Sequence, residues 1–205
     1  MKTVSQYTLY ALLILLTACK SAPADVVGTN FTPSADKGIA IATLTFEGDR
    51  PVNDTYRFFY NAQSDDKAFK KRNAGKVVVN GREIKDSFNG DFNNKKTYLV
   101  IIEREPGTYA FTQYSYLDRK GSNGMVTSSK LFAIPFEIKK GEIAYIGEMS
   151  YKDIAEKGSP RIYVADYFTR DLPEFKHKYP SVDWDKALNK SVKKGDTGGG
   201  IIDFR

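Results

Sequence analysis

The chain has 205 residues, of which 41% are hydrophobic and 27% are charged, and its formal net charge is +6. This length and composition are typical of one modest domain with tails, and they argue against a wholly disordered chain and against a protein that spans a membrane several times. One cysteine, Cys19, and one histidine, His177, are too few for a disulfide framework, a zinc site or an iron–sulfur cluster. We therefore expect no metal and no cofactor.

Residues 1–18 have the pattern of a signal peptide. Lys2 supplies positive charge, an apolar run extends from Leu9 to Leu16, and the small residues Thr17 and Ala18 follow it. A run this short cannot cross roughly 30 Å of hydrocarbon, because a stable spanning helix needs about 20 residues. The pattern predicts export rather than a membrane-spanning helix.

The sequence Leu16-Thr17-Ala18-Cys19 resembles the lipobox of bacterial lipoproteins. The resemblance implies that the Cys19 thiol receives a lipid and that Cys19 becomes the first residue after cleavage. The alternative is an ordinary secretory signal with an incidental cysteine. Because Cys19 is the only cysteine of a chain that enters an oxidising compartment, we favour lipidation.

The lipobox also predicts where the protein is located. We expect a membrane partner, held through the lipid on Cys19, and a place in the bacterial cell envelope, with no nucleic acid as a partner. In the sorting pattern of such lipoproteins, an aspartate after the cysteine retains the protein at the inner membrane. The residue here is Lys20, which favours the outer membrane, facing the periplasm or the cell surface.

The mature chain divides by composition into three parts. Residues 19–37 have little hydrophobic periodicity and suit a flexible tether, and residues 193–205 include three consecutive glycines and suit a mobile tail. The folded domain is predicted over residues 38–192. Its strand signals lie at 38–46, 56–60, 76–79, 97–102, 109–117, 132–138, 142–149 and 161–166.

These signals predict a mainly β protein, an antiparallel sandwich of about seven to eight strands with two short C-terminal helices. Asn80-Gly81 predicts a tight hairpin turn, and Pro106-Gly107 predicts a type II turn with Gly107 at positive φ. Pro135 cannot donate a hydrogen bond, so its strand should lie at an edge or carry a bulge.

Three helical segments are indicated, and the first is short and basic. Ser64 is a candidate cap for a turn of helix that continues through Lys67-Ala68-Phe69-Lys70-Lys71-Arg72. We interpret this run as a solvated helix whose charges suit the helix dipole. The alternative is that it rests on an anionic membrane surface.

Two further helices are predicted after the last strand. Asp171 and Glu174 have the spacing of a capping box, and one face of this helix carries Leu172, Phe175 and Tyr179. Pro180 should end the helix, and Ser181 could cap a second one. In that second helix, Trp184 and Leu188 are four residues apart and should dock on the sheet.

The stretch 105–149 is similar to an element of a family of small bacterial lipoproteins of unknown function. The shared features are the Pro-Gly-Thr-Tyr turn, an alternating Phe/Ile strand and Gly-Glu-Ile-Ala-Tyr-Ile-Gly. More distantly, the stretch resembles the prealbumin-like sandwiches appended to carboxypeptidases. The resemblance implies a β-sandwich with bends or close backbone approach at Gly141 and Gly147, and it implies no catalytic residue.

Candidate catalytic and binding residues are few. His177 lies between two lysines on a helix and is expected to be solvated rather than catalytic. A loop from Asp86 to Asp91 with Asn93 offers oxygen ligands, but it lacks the alternation and the terminal glutamate of a calcium loop. Seven acidic residues could supply a two-carboxylate hydrolase, although surface charge is the simpler reading: Glu103, Glu105, Asp118, Glu142, Glu148, Asp183 and Asp185.

Tyrosines on strands of both parities are the remaining signal, so several should face outward: Tyr109, Tyr114, Tyr116, Tyr145, Tyr151, Tyr163 and Tyr167. Exposed tyrosines could form a surface for sugars or a protein partner, and the favoured alternative is that tyrosine simply suits half-buried strand positions. Three functions stay open. The first is a lipid-anchored, non-enzymatic module that binds or assembles with an envelope protein or glycan. The second is a cell-wall or carbohydrate-acting hydrolase, and the third is an accessory lipoprotein of a secretion or transport complex.

Overall fold

The computed structural model describes residues 24–25, 27–81, 87–119 and 124–205, which form two β-sheets packed face to face. The sheet that we call sheet I contains β1 Gly38–Phe46, β4 Thr97–Arg104, β8 Ile143–Tyr151, β9 Ile162–Ala165, β10 Ala187–Asn189 and β11 Ile202–Phe204. Sheet II contains β2 Thr55–Ala62, β3 Gly75–Asn80, β5 Gly107–Asp118, β6 Met125–Ser128 and β7 Ile134–Ile138.

The strand order is β11-β9-β8-β1-β4 in sheet I, with β10 beside the start of β8. In sheet II the order is β3-β2-β5-β6, with β7 beside the start of β5. The mainly β prediction is confirmed. The strictly antiparallel prediction is wrong, because β1 and β10 pair with β8 in parallel and β11 pairs with β9 in parallel.

The predicted strand count is also wrong, because the described residues contain eleven strands. The three unpredicted strands are β6, β10 and β11, and each has only three or four residues. Such segments are too short to show an alternation of apolar and polar residues. Their strand conformation is therefore determined by pairing with a longer neighbouring strand and not by their own sequence. Strand direction is likewise set by long connections that leave no local pattern.

The core between the sheets is aromatic. The Tyr151 ring lies at the centre of a cluster in which its ring centroid is 5.3–5.7 Å from those of Phe46, Tyr56, Phe58 and Tyr114. Such edge and tilted ring contacts add to the stabilisation from burial itself. The predicted alternation of the Pro135 strand is confirmed: Phe132, Ile134, Phe136 and Ile138 are all buried, and β7 lies at an edge.

The predicted outward-facing tyrosine surface is wrong. Five of its seven members are buried, namely Tyr109, Tyr114, Tyr145, Tyr151 and Tyr163, and only Tyr167 is exposed. Parity along a strand fails as a guide here because both faces of sheet I are covered. Sheet II buries its tyrosines against sheet I, whereas Tyr145 is buried on the opposite side of sheet I.

A bulge in β8 explains how two polar side chains reach that opposite side. The β1–β8 register places Ile41 opposite Tyr145 but Thr43 opposite Glu148, so β8 contains one extra residue. Gly147 lies at this point with φ +117, and a Cβ there would lie 3.0 Å from the carbonyl oxygen of Ala165. The bulge puts Tyr145 and Glu148, three residues apart, on the same face.

Two helices flank the sheets. Helix α1 spans Lys67–Asn73 and is capped by Asp66, whose carboxylate accepts from the amides of Ala68 and Phe69, so the predicted cap at Ser64 is wrong. Helix α2 spans Phe168–Lys178 and covers the outer face of sheet I. A 3-10 turn, Trp184–Lys186, follows α2 where a second helix was expected.

The α2 face was predicted well, but its cap was not. Phe175 and Tyr179 are buried, and Leu172 packs beside them. Asp171 does not cap the helix: it lies one residue after Arg170 inside the first turn and is completely buried. Trp184 docks as expected, whereas Leu188 is 46% exposed in β10.

Two turn predictions are also wrong. Strand β3 pairs with the preceding β2 rather than with a strand after Asn80-Gly81, because β4 belongs to the other sheet. Gly107 begins β5 without a positive φ, and a Cβ there would contact the Phe69 ring of α1 at 3.1 Å. At Gly107, then, small size rather than backbone freedom matters. Gly141 has the φ of +69 that its predicted bend requires.

The ends of the described chain lie against the sandwich. Residues 202–204, inside the predicted tail, form β11, and Asp196 forms a two-residue bridge with Ala133. Residues 27–37 of the predicted tether include Val27 and Phe31, which pack against the cluster under α2. Among the residues described, no helix is long and apolar enough to span a bilayer.

The buried Asp171 anchors α2 to sheet I. Its carboxylate accepts from the Thr43 hydroxyl and the Tyr145 hydroxyl, both at 2.6 Å, and from Arg170 Nε at 2.7 Å. Arg170 also contacts Glu148, which accepts from the Thr45 hydroxyl at 2.6 Å. Burial, followed by the hydrogen bond to Asp171, raises the pKa of Tyr145. These hydrogen bonds and ion pairs satisfy the charged side chains that lie between α2 and sheet I.

We expect Asp171→Ala to lower the free energy of unfolding by about 3–5 kcal/mol, because it leaves buried donors unpaired. Denaturant unfolding measures the loss. The control Asp185→Ala, whose carboxylate is 85% exposed in its ion pair with Lys176, should change stability by less than about 0.5 kcal/mol. If Asp171→Ala does not fold, Tyr145→Phe, which removes one donor, should cost about 1 kcal/mol. Equal losses for Asp171→Ala and Asp185→Ala would contradict this account.

Candidate functional site

The sandwich is open along one side, where β3 and β4 are the end strands of their sheets. Strands β3 and β4 do not pair with each other but border a common cleft of about 310 Å³. The cleft is also lined by Lys178, Tyr179 and the described residues before β1, 24–25 and 27–37, which we call the N-terminal segment. Unpaired strand edges need a cover, since their amide and carbonyl groups otherwise remain open to wrong pairing. Ala24, Asp25 and residues 27–34 supply part of that cover.

The N-terminal segment binds the β3 edge through its backbone. Ala24 bridges Lys76 in parallel, and the Asp25 amide donates to the Lys76 carbonyl oxygen at 3.0 Å. The segment continues to Ser34, whose amide donates to the Glu103 carboxylate at 2.6 Å. This part of the chain therefore contacts the end strands of both sheets.

The strongest contact of the segment is the ion pair between Asp25 and Arg104. The Asp25 carboxylate accepts from Arg104 Nη2 at 2.6 Å and from the Tyr60 hydroxyl at 2.7 Å. Both charged side chains are largely buried, at 9% and 17% exposure, and the Arg104 guanidinium lies 5.3 Å from the centre of the Tyr60 ring. Removing one partner of such a shielded pair is costly, because the other charge is then left buried and unpaired.

A second cleft, of about 380 Å³, lies beside this ion pair. It is bordered by the N-terminal segment, the end of α1 and the end of β4, and it is the best candidate for a binding site at this edge. Three ion pairs line it: Arg104–Asp25, Arg72–Glu105 at 3.2 Å and Lys37–Glu103 at 3.7 Å. Each charge faces an opposite charge, so the cleft holds three segments together more readily than it would bind an ion.

The electrostatics of Asp25 follow from its burial. Desolvation raises its pKa above the usual value, although Arg104 and the Tyr60 hydroxyl act in the opposite direction. Because a raised pKa favours the protonated form in the docked state, the docking free energy is complete at low pH and declines as the pH rises through that pKa. Glu105 differs: the hydrogen bonds from Arg72 and then Asn73 lower its pKa.

The seven candidate carboxylates are dispersed over the molecule, and each has a partner. Glu103 and Glu105 line the cleft, and Glu148 lies under α2. Glu142 pairs with Lys190, Asp183 with Lys186 and Asp185 with Lys176, and Asp118 also has a partner. Among the described residues, three pairs of these carboxylates share a cleft: Glu103 with Glu105, Asp183 with Asp185, and Glu142 with Asp183. All of them are engaged in ion pairs.

The other candidates are simply placed. His177 is exposed on α2. Asp91 of the candidate calcium loop binds the Leu99 amide and pairs with Lys178, while Asp86 lies outside the described residues. No cluster of three or more histidine, cysteine or acidic side chains suited to a metal occurs in the part of the chain that the structure describes. Cys19 also lies outside the described residues.

Sequence reasoning missed the contribution of Asp25, because the tether around it has no periodicity. The one available signal was an acid within the predicted tether, and its partner Arg104 lies 79 positions away. It also missed the network around Asp171, since nothing local pairs Thr43 or Tyr145 with that carboxylate.

Comparison with known proteins gives little. No protein-family model matches this chain, and no curated protein matches it. Among solved structures, the chain is similar to the crystal structure of a leucine-rich repeat protein from Bacteroides thetaiotaomicron VPI-5482, with 11% identity and a TM-score of 0.31. The match covers 82% of this chain and 20% of that one. A likeness at that level fixes neither fold nor function.

We expect Asp25→Ala to release the N-terminal segment from the sandwich, because Arg104 loses its buried partner, at a cost of about 3 kcal/mol of docking free energy. Amide hydrogen exchange of residues 24–37 measures the release, with faster exchange as the expected result. Asp36→Ala is the matched control, since Asp36 is exposed in the same segment. Unchanged exchange in Asp25→Ala would contradict the assigned role.

The same measurement tests the titration of Asp25. In the wild-type protein, exchange in this segment should be slower in acidic than in neutral buffer after correction for intrinsic rates, following the raised pKa. Asp25→Asn, which cannot ionise, should remove that pH dependence.

Proposed function

We propose that the protein is a lipid-anchored bacterial envelope protein, a non-enzymatic binding or assembly module held on the outer membrane through a lipid on Cys19. The observation that carries the proposal is the lipobox-like sequence Leu16-Thr17-Ala18-Cys19 at the end of an apolar leader. Two or three acyl chains on one residue would hold a protein on a bilayer, since each buried methylene contributes about 0.8 kcal/mol.

The docked segment supports this proposal. Four residues separate Cys19 from Ala24, so the chain between the lipid and the bridge to Lys76 can span at most about 18 Å. A lipid at Cys19 would keep the sandwich close to the membrane, with the end that carries α1 toward it. Such an arrangement suits a binding protein, because it determines which surface faces a partner.

The opposite end of the sandwich carries exposed apolar side chains. Strand β2 runs from Thr55, near Asp153, to Ala62, which leads into α1, so the loops around Asp153 lie at the end away from α1. At this distal end Met125 is 64% exposed and Ile154 is 81% exposed. Exposed apolar residues of this size favour contact with a protein partner over contact with a glycan.

The hydrolase alternative gains no comparable support. Among the described residues, every candidate pair that shares a cleft is neutralised. Glu103 and Glu105 pair with Lys37 and Arg72, and Glu142, Asp183 and Asp185 pair with Lys190, Lys186 and Lys176. A carboxylic acid that donates a proton needs a raised pKa, and the pKa of Glu105 is lowered.

We expect the mature protein to begin at Cys19 and to carry acyl chains, which mass spectrometry of the N-terminal peptide detects. Cys19→Ser should abolish acylation and leave the chain unprocessed at this site. Adding Ser21→Cys to Cys19→Ser restores a thiol two residues downstream and should not restore acylation, because the thiol no longer follows the small residues. A bare Cys19 thiol in the processed protein, or an uncleaved leader, would overturn the proposal.

The binding role predicts a partner at the distal end. In affinity purification from detergent-solubilised membranes, we expect a stoichiometric envelope protein with the wild type and its loss with the double variant Met125→Asp/Ile154→Asp. Leu188→Asp, an exposed apolar position on β10 at the other end, should keep the partner. Retention by both variants, or no partner at all, would count against this surface.

A further inference from the structure

We propose that the exposed face of α1 rests on anionic phospholipid headgroups of the membrane that holds the lipid, an inference that depends on the proposed anchor at Cys19. The face consists of Lys67, Lys70 and Lys71, which we call the basic face. It presents three positive charges at the end of the sandwich from which the anchored chain departs.

The direction of the chain at Ala24 supports this orientation. The bridge between Ala24 and Lys76 is parallel, so the N-terminal side of Ala24 faces the Gly75 end of β3. Helix α1 ends at Asn73, immediately before β3, and Asn73 and Arg72 line the same cleft as Ala24. The N-terminal side of Ala24 therefore lies beside α1 rather than at the distal end.

The helix geometry separates the basic face from the packed face. Lys67, Lys70 and Lys71 have the i, i+3, i+4 spacing that puts side chains together on one side of a helix. Phe69 and Asn73, four residues apart, form the other side: Phe69 packs on the core, and Asn73 is buried. All three lysines are exposed and have no ion-pair partner among the described residues, whereas Arg72 pairs with Glu105.

The charges around the basic face favour a lipid surface. Asp65 and Asp66 precede the helix, and the Asp66 carboxylate is engaged in capping it. The loop that follows β7 lies at the same end of the sandwich as α1, because Ile138 pairs with Gly107 and Gly107 lies beside Phe69 of α1. This loop adds the exposed Lys140. A juxtamembrane lysine near an anionic leaflet contributes about fivefold to partitioning, and charges act within roughly 8 Å at physiological salt.

The structure offers a matched control at the distal end. Arg50, Arg119 and Lys157 are three exposed cations in the loops near Asp153 and Asp54. Replacing either set by glutamine removes three positive charges, so the two triple variants have the same net charge as each other. Only the place of the charges differs between the variants Lys67→Gln/Lys70→Gln/Lys71→Gln and Arg50→Gln/Arg119→Gln/Lys157→Gln.

The test uses the lipidated protein in vesicles of phosphatidylcholine, with or without phosphatidylglycerol. A water-soluble lysine-acylating reagent is applied, and mass spectrometry compares modification of the basic face with that of Lys157. We expect several-fold slower modification of the basic face with phosphatidylglycerol, and recovery of the rate in high salt. Equal rates in both vesicle types, with the lipid confirmed on Cys19, would overturn this inference and leave the proposed function standing.

A second measurement uses the chain from residue 19 to residue 205 with Cys19→Ser, which lacks both the lipid and the apolar leader. It follows sedimentation of this chain with phosphatidylglycerol vesicles at low ionic strength. Loss of the basic face should weaken partitioning on the order of 100-fold, and the distal triple variant should bind like its parent. Equal weakening by both triple variants would mean non-specific attraction and would contradict the proposal. So would binding of the basic face to a soluble acidic protein in preference to the vesicles.

Discussion

The open side of the sandwich is the constraint on which the rest of the arrangement depends. Two sheets that do not close into a barrel leave β3 and β4 as neighbouring unpaired edges. The chain covers this side with residues from before its first strand, and it fixes them by the buried pair of Asp25 and Arg104. A segment whose composition suggests a tether is thereby joined to both sheets.

The face of sheet I that points away from sheet II is covered by a helix instead. Helix α2 lies on that face over apolar residues, but at its first turn it meets Thr43, Tyr145 and Glu148. Asp171 and Arg170 satisfy this polar layer, and the bulge at Gly147 is what turns Glu148 toward it. A buried charge layer costs desolvation free energy, and complete pairing of its members offsets that cost.

The sequence predicted what depends on local pattern. Long alternating runs such as Phe132 to Ile138 were assigned correctly, as was the apolar face of α2. It could not predict strand direction, because parallel pairing of β1 with β8 is decided by the intervening chain. The outward orientation expected for several tyrosines was wrong, because the alternation of residues along a strand does not reveal that other layers pack on both faces of sheet I. The contacts of the candidate site were beyond reach because Asp25 and Arg104 are far apart in the chain.

The pairing of β1 with β8 joins Ile39 to Ile143, more than a hundred positions apart. Closing so long a loop is entropically slow, and contacts of this kind lower folding rates. Neither the centre of sheet I nor the aromatic cluster around Tyr151 can form until most of the chain has emerged. A chain with this topology stays open until residue 151 has emerged, and its apolar β8 needs shielding from aggregation until then.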